Sequence, residues 1–535
     1  MKNLFKIIIL LLSLSVFSIH ADTYNMKYSS IEDFVSDQKT IRIFGVAVGN
    51  FGHLAATANV MTHVRQLGFK GTFEIIYPDM DLQSVTTLFN LPPQVPDIYE
   101  DETNKIRFIK LGEYIKRLKD NAVEPVTLGM SGAADDDDSA CAWAGNTPLN
   151  NTDTLMCRNV AKLLNVKIYA SVTHTNDHPF VPPMFQEFGD EFFLWDNNEK
   201  RYAVDEGNLY FTAPVSSLDD AKNYLQQNGD LLTKKPALNT FIDGMEKQRF
   251  DVMPVYGRTI HDSELDERIA NMLQIITGAR YAEVHNPSHA PLVIAVYYDY
   301  EEDAELLSQI IHSNNWTQLE GSWIDAAKNA IQTVGLNQPG VFSVASISDA
   351  KTINTLNTLQ PNQILLLTLG SFPKTVFDGL YTHTGENIWP QIREGYSSLS
   401  SLMLTGKPHF RCPTRGVGSL LESNWELGFD LVKDTDLKTK LINFYLPNNG
   451  FCQGAGSWDK NSDIYKTFGE LILQARSADS SFSEYFQVVK ENASDPKKDR
   501  INDMLDKVMK FMNGDKSALG DNAIDLPEWT PFTAR

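Results

Sequence analysis

A glycine-rich turn that ends in a histidine has residue types suited to acid–base chemistry. Gly49-Asn-Phe-Gly52-His53-Leu54 stands between a predicted strand over Ile41–Val48 and a predicted helix over Leu54–Leu67. Glycines let the backbone turn sharply, and a helix start offers free N–H groups and partial positive charge to an anion. An imidazole there could accept a hydroxyl proton. The motif alone is equally compatible with a histidine that merely begins a helix.

A run of four aspartates, Asp135–Asp138, follows another predicted strand, Pro125–Met130. Adjacent aspartates lack the alternating oxygen ligands of a calcium loop. The run is therefore either a solvated acidic loop or the source of a carboxylate, Asp135 or Asp136, that orients His53. Because both loops leave the carboxyl ends of strands in one predicted parallel sheet, we expect them to meet.

A third group of polar and small residues lies in the second half of the chain. His383 and Gly385 come first, followed by Gly395, Ser397 and Ser398. Gly395 with its two serines predicts a helix start whose N–H groups and hydroxyls can hold a phosphate.

Strand and helix patterns alternate in two successive halves of the sequence. Strands are predicted over Ile41–Val48, Thr72–Tyr77, Pro125–Met130 and Val166–Val172, and later over Leu292–Tyr298, Val341–Ala345 and Gln363–Leu369. This alternation predicts an α/β protein with two Rossmann-like parallel-sheet lobes facing a cleft, followed by C-terminal helices. The proline-containing stretch 285–291 is interpreted as the linker between the lobes. The predicted divisions are a signal peptide over 1–21, lobes over 22–285 and 286–455, and C-terminal helices and tail over 456–535.

The ordered set of motifs resembles the GT-B glycosyltransferases, in particular the nucleotide-sugar-dependent type that includes glucuronosyltransferases and peptidoglycan lipid-linked enzymes. The residues that match, in order, are Gly52-His53-Leu54, His383, Gly385, Gly395, Ser398, Gly406, Pro408, Pro413, Asn424 and Gly428. The resemblance implies a nucleotide-sugar donor in the second lobe, an acceptor hydroxyl deprotonated by His53, and no bound metal or other cofactor. It also implies that His383, Gly385, Gly395, Ser397 and Ser398 form the donor phosphate site.

The chain departs from the family pattern at three places. Nine residues stand between Gly385 and Gly395. Ser401 or its neighbour Ser400 replaces the glutamate that holds the nucleotide ribose, and the Asp-Gln pair that reads sugar hydroxyls is absent between Pro413 and Asn424. These departures leave open a non-catalytic GT-B-like protein that binds a glycan or another ligand. A two-lobed periplasmic solute-binding protein is disfavoured, since that class needs no phosphate-holding helix start.

The first residues predict export. Lys2 and Lys6 precede an apolar run, Ile7–Ile19, that ends near the small residue Ala21. The run is shorter than the ~20 residues a membrane span needs, so it predicts a cleaved secretory signal and a soluble secreted or periplasmic protein. A net charge of -21 with scattered basic residues disfavours nucleic acid as a partner.

The cysteine count is compatible with two disulfides. Cys141 with Cys157, and Cys412 with Cys452, fall within single predicted lobes. Such bonds would form in an oxidising compartment, and four buried free thiols are the alternative.

Overall fold

The computed structural model describes the chain in segments separated by short gaps and by a few longer ones. The described residues are 27–45, 52–78, 81–92, 94–132, 160–171, 191–196, 200–205, 215–257, 264–288, 290–393, 401–411, 435–436, 439, 452, 454–519 and 523–525.

A nine-stranded sheet is the centre of the first half. Its strands are β1 (Thr40–Phe44), β2 (Thr72–Tyr77), β3 (Ile98–Asp101), β4 (Ile106–Lys110), β5 (Val126–Ser131), β6 (Val166–Ser171), β7 (Glu191–Asp196), β8 (Lys200–Asp205) and β15 (Ala523–Asp525). They lie in the order β15-β8-β7-β6-β5-β1-β2-β4-β3. The central pairs β4-β2, β2-β1, β1-β5 and β5-β6 are parallel. The strand order reverses between β1 and β5, which makes their carboxyl ends the topological switch point where ligands bind in such sheets.

A second sheet of six strands is built from the later part of the chain. Its strands are β9 (Asp251–Val255), β10 (Leu292–Val296), β11 (Phe342–Ser346), β12 (Ile364–Thr368), β13 (Gln391–Arg393) and β14 (His409–Arg411). They lie in the order β11-β12-β10-β9-β13-β14, and every pairing is parallel. The order reverses between β9 and β13, so the second switch point lies at their carboxyl ends.

Helices cover the faces of both sheets. They are α1 (Ile31–Ser36), α2 (Gly52–Gln66), α3 (Leu82–Phe89), α4 (Leu111–Lys119), α5 (Val160–Leu163), α6 (Leu218–Gln227), α7 (Gly229–Lys234), α8 (Leu238–Glu246), α9 (Leu265–His285), α10 (Glu301–Ser313), α11 (Trp323–Thr333), α12 (Thr352–Thr358), α13 (Lys374–Tyr381), α14 (Ala455–Lys460), α15 (Ile464–Arg476), α16 (Ser481–Ala493) and α17 (Arg500–Met512). Short 3-10 helices occupy Pro496–Lys498 and Lys516–Leu519.

The second sheet is buried on both faces, as a parallel sheet requires. Along β10, Ile294 and Val296 join one hydrophobic core, while Val293 and Ala295 join the core on the opposite face. This explains the continuous apolar run of this strand in the sequence. The predicted α/β class with two Rossmann-like sheets is confirmed.

The second sheet begins earlier in the chain than the sequence suggested. The predicted first lobe extends to residue 285, but β9, which lies within that range, pairs with β10 in parallel along its whole length. Helices α6 and α8 pack in the same core as β10 and β12. The predicted linker at 285–291 instead follows α9 and leads directly into β10. The assignment of these elements to the first lobe is therefore wrong, because a local sequence pattern does not show which sheet a strand joins.

The last helix returns to the first sheet. Ile501, Met504 and Leu505 of α17 lie in the same hydrophobic core as β1 and β2. Strand β15 then pairs antiparallel with β8. A second connection between the halves is the hydrogen bond from Asn90 Nδ2, at the end of α3, to Asn228 Oδ1 (3.3 Å). Among the described residues, no helix has the length and apolar character needed to cross a membrane.

Candidate functional site

The first switch point places the predicted histidine motif at a helix start. Gly45 follows β1, and its N–H donates to Ile76 O (2.8 Å). A Cβ on Gly45 would lie 2.9 Å from Ile75 Cγ2, so only a residue without a side chain leaves the strand in this way. Helix α2 begins at Gly52, so Gly52 and His53 occupy its first two positions. The sequence motif and the helix start therefore coincide.

The turn after β5 packs directly against the first turns of α2. Gly132 N–H donates to Thr57 Oγ1 (3.1 Å), and both groups are buried. A Cβ on Gly132 would lie 2.4 Å from Thr57 N and 2.5 Å from Ala56 C. The end of β5 therefore lies directly against the first turns of α2.

The strands before these two loops lie next to each other, whereas most of the loop residues lie outside the described part of the chain. Strands β1 and β5 are hydrogen-bonded neighbours, with Ile43 opposite Met130. Their carboxyl ends therefore lie side by side. Asp135 and Asp136 lie outside the described residues, so their role as partners of His53 stays a prediction.

The second switch point precedes the predicted phosphate-binding turn. Gly395, Ser397 and Ser398 lie outside the described residues, but they directly follow β13. Strand β13 pairs with β9 through Ile392 and Val255, and residues 401–403 are helical. The turn that contains Gly395 therefore leaves the carboxyl end of β13, next to β9.

Arg393 is a residue of this region that sequence reasoning missed. It ends β13 just before the predicted phosphate turn, and only 1% of its surface is exposed. The signal in the sequence is a charged residue directly before Glu394 and Gly395. Burial raises the pKa of Tyr381 and lowers that of His409, and the charge of Arg393 acts to lower both pKa values, so its guanidinium lies near these two buried side chains.

His383 and Gly385 lie at the opposite edge of the second sheet. They fall between the end of α13 and the start of β13. In the same turn, Asn387 Nδ2 donates to Met245 O and Phe250 O (both 2.9 Å). The backbone carbonyl oxygen of Asn387 accepts from Val252 N–H (2.9 Å). These contacts fix the turn to the amino end of β9. Burial lowers the pKa of His383, although Glu246 opposes the shift.

This placement corrects the assignment of His383 and Gly385 to the donor phosphate site. In a parallel sheet the amino and carboxyl ends of the strands lie on opposite edges. The whole of β13 therefore separates these two residues from Gly395, and one phosphate cannot contact both groups.

Aromatic side chains cluster near the carboxyl ends of β9 and β10. Tyr297 packs against Phe377 (ring centroids 5.5 Å apart) and Tyr381 (5.4 Å). Tyr256 packs against Phe377 (5.2 Å). Tyr256 and Phe377 are half-buried, and burial raises the pKa of Tyr297 far above its ordinary value. The edge thus offers partly exposed aromatic surface beside β13.

Two further findings bear on the chemistry of the site. No group of three or more His, Cys, Asp or Glu side chains in the described part of the chain could hold a metal ion. Cys452 is disulfide-bonded and fully buried. Its predicted partner Cys412, like Cys141 and Cys157, lies outside the described residues.

Comparisons with known proteins gave matches only among solved structures. No protein-family model and no curated protein matches the chain. The chain is similar to an alpha-glucosyltransferase in complex with UDP and a 13-mer DNA containing a HMU base, at 10% identity and a TM-score of 0.34, covering 85% of this chain and 94% of that chain. It is also similar to UDP-glucose: anthocyanidin 3-O-glucosyltransferase in complex with UDP, at 11% identity and a TM-score of 0.32, covering 86% and 99%.

A third similar structure is an alpha,alpha-trehalose-phosphate synthase (UDP-forming) from Burkholderia vietnamiensis. Its identity is 7% and its TM-score 0.31, covering 89% of this chain and 99% of that chain.

Proposed function

We propose that the chain is a GT-B-like glycosyltransferase that moves a sugar from a nucleotide donor to an acceptor hydroxyl. The proposal rests on the positions of the strands that precede the candidate reactive residues. Strand β1, after which the chain continues to His53, ends at the switch point of the first sheet beside β5. Strand β13, after which the chain continues to Gly395, ends at the switch point of the second sheet beside β9. Each sheet therefore directs one reactive loop to the edge where α/β sheets bind ligands.

On the acceptor side, His53 acts as the general base. The acceptor hydroxyl oxygen attacks the anomeric carbon of the sugar, and its proton passes to an imidazole nitrogen of His53. The bond between the anomeric carbon and the diphosphate oxygen breaks, and the diphosphate leaves with its electron pair. Asp135 or Asp136 holds the imidazole in the correct tautomer and stabilises the imidazolium that forms.

On the donor side, the turn after β13 stabilises the departing diphosphate. Free N–H groups at the helix start and the hydroxyls of Ser397 and Ser398 donate hydrogen bonds to phosphate oxygens. These groups can supply the stabilisation of leaving-group charge without a metal. The half-buried rings of Tyr256 and Phe377 provide faces for a nucleobase.

We also propose that the mature protein is exported and works in an oxidising compartment. The predicted signal over 1–21 motivates this proposal. The disulfide at Cys452 supports it, since disulfides persist in the periplasm and outside the cell and are rare in the cytosol.

The alternative is a non-catalytic protein of the same architecture that binds a glycan or another ligand. Two observations favour it: Ser400 and Ser401 stand where the family has a ribose-binding glutamate, and His383 lies on the sheet edge away from the phosphate turn. This alternative predicts ligand binding without turnover.

The test combines binding and turnover on the mature protein. Thermal melts and calorimetry with UDP, GDP, ADP and their sugar conjugates should show at least one ligand that stabilises the fold by mass action. Replacing both Ser397 and Ser398 with alanine should weaken that binding by about 10-fold or more, because charge-assisted hydrogen bonds to phosphate are lost. The exposed Ser494→Ala serves as the control.

Three outcomes separate the alternatives. Binding together with release of nucleoside diphosphate from a nucleotide sugar supports the transferase. Binding without turnover, over a broad panel of acceptors, supports the binding protein. An unchanged affinity in the folded double serine variant shows that the phosphate site is elsewhere.

A further inference from the structure

At the carboxyl edge of the second sheet, a lysine and an aspartate converge on one glycine. Gly370 follows β12 and has a φ of +63°, a conformation that favours glycine. A Cβ built on Gly370 would lie 2.8 Å from Asp299 Oδ1 and 2.9 Å from Lys235 Nζ. The carboxylate of Asp299, a hydrogen-bond acceptor, and the ammonium group of Lys235, a hydrogen-bond donor, thus both lie close to the backbone of Gly370.

The sheet itself brings these residues together. Asp299 follows β10 and Gly370 follows β12, and these strands are parallel neighbours with Val296 opposite Thr368. Their turns therefore emerge side by side. Lys235 comes from the end of α7, which packs over the same edge.

Lys235 is held in place by two contacts. Its Nζ donates to Leu369 O, and it lies 4.7 Å from the centroid of the Phe372 ring. An ammonium group has three N–H donors, so one bond to a carbonyl leaves donors for other groups. Burial lowers the pKa of Lys235, while the carboxylates of Asp299 and Glu301 oppose the shift.

The charges at this edge favour a neutral hydroxyl over a phosphate as the ligand group. A phosphate would meet the ammonium of Lys235, but it would also lie against the exposed carboxylates of Asp299 and Glu301. Like charges at contact distance disfavour such binding. A neutral hydroxyl has no such conflict, because it donates one hydrogen bond and accepts others. It can donate to Asp299 and accept from Lys235 when it lies between the two side chains.

We propose that Lys235 and Asp299 bind a hydroxyl group of the nucleotide-sugar donor, on its ribose or on its transferred sugar. This assignment rests on the proposed function, since it takes the donor to lie along the carboxyl edge of the second sheet. Neither residue belongs to the motifs that resemble the family. The pair binds a hydroxyl in a chain that lacks the Asp-Gln pair with which the family reads sugar hydroxyls.

The test measures affinity by calorimetry on the mature protein. The probes are UDP, GDP and ADP, their 2′-deoxy and 3′-deoxy analogues, and UDP-glucose, GDP-mannose and ADP-glucose. The variants are Asp299→Ala and Lys235→Met. The matched controls are Glu302→Gln, on the first turn of the following helix, and Lys234→Met, the exposed neighbour of Lys235. Thermal melts establish that each variant is folded.

We expect both site variants to bind the preferred probe about 10–100-fold more weakly than the controls do, as loss of a charged hydrogen bond predicts. If the hydroxyl is on the ribose, the wild type discriminates against one deoxy analogue and Asp299→Ala does not. If it is on the sugar, the variants lose affinity only for the nucleotide sugar. Folded variants that bind every probe as tightly as their controls would overturn the assignment. A wild type that binds none of the probes would instead contradict the proposed function.

Discussion

At the scale of single residues, His53 and Gly132 define the reactive edge of the first sheet. Gly132 donates its N–H to Thr57 Oγ1 of helix α2. The helix that begins at Gly52 is therefore held against the end of β5 by a backbone contact that tolerates no side chain. A base needs a fixed position before its pKa matters, and this contact supplies one for the start of α2.

Replacing His53 with alanine should remove the general base and leave the fold intact. We expect the transfer rate to fall by about 10²–10⁴-fold, the usual contribution of a positioned acid–base group. Donor affinity should stay close to that of the wild type, because the proposed donor site is on the other sheet. Initial rates with a saturating nucleotide sugar measure the change, and His312→Ala, an exposed histidine on α10, is the control. A wild-type rate in His53→Ala would assign the base to another residue.

Replacing Gly132 with alanine should push β5 and α2 apart. The new Cβ would lie 2.4 Å from Thr57 N, which belongs to the backbone and cannot rotate away. Overpacking of this kind costs about 1–3 kcal/mol, so we expect a lower melting temperature and a lower transfer rate. Gly229→Ala is the matched control, since nothing lies within 4 Å of its added Cβ. Equal melting temperatures for the two variants would show that the contact is loose.

At the scale of elements, the long helix α9 carries a row of three polar side chains, two of them fully buried, that bind the backbone N–H groups before and at the start of α14. Gln274 Oε1 accepts from Cys452 N–H (2.9 Å), and Asn271 Oδ1 accepts from Gly454 N–H (2.7 Å). Glu267 Oε2 accepts from Ala455 N–H (3.2 Å). These acceptors are spaced along one face of the helix, so they follow the turn that leads into α14. The disulfide-bonded Cys452 lies within this turn.

Gly454→Ala should release this turn from α9. Gly454 has a φ of +72°, and a Cβ there would lie 1.1 Å from Glu267 Oε2. With a ψ of -150°, this backbone conformation is one that essentially only glycine adopts; it costs about 1–3 kcal/mol for another residue, and displacement of the carboxylate adds to it. We expect a melting temperature several degrees lower in thermal unfolding. Gly456→Ala, two residues later in open space, should melt like the wild type or slightly higher.

At the scale of the whole molecule, residues near both ends of the described part of the chain meet at the first sheet. Tyr28 N–H donates to Asn513 Oδ1 (3.0 Å), and Asn513 Nδ2 donates to Tyr28 O (2.9 Å). His63 Nε2, on α2, lies 2.9 Å from Oδ1 of Asn502, which is in the first turn of α17. The chain thus builds the first sheet, then the second, and closes by returning to the first. The described segment nearest the amino terminus already takes part in this closure.

Removal of the predicted signal should therefore leave the fold complete. Because Ile7–Ile19 is short and is followed by a small residue, we expect a mature chain that begins near Asp22, upstream of Tyr28. Amino-terminal sequencing and mass spectrometry of the exported protein measure this directly. An intact Met1 in the membrane fraction would contradict it and would indicate a retained anchor.

The sequence by itself determined the features that depend on neighbours along the chain. The apolar runs of β1, β2, β10 and β12 predicted strands near their observed positions, and Gly52-His53 was predicted at a helix start, where α2 begins. Parallel strands must present their carboxyl ends on one edge, so local patterns also predicted that the loops after β1 and β5 leave the same edge.

Tertiary structure decided the features that depend on pairing between distant segments. Strand β9 joins the second sheet because it pairs with β10 across the length of α9. His383 lies away from Gly395 because His383 precedes the amino end of β13 and Gly395 follows its carboxyl end. Gly370, Asp299 and Lys235 are far apart in the chain, and their meeting follows only from the adjacency of β10 and β12 and the packing of α7. Periodicity reports which face of an element is buried, whereas the partner it is buried against is set by long-range packing.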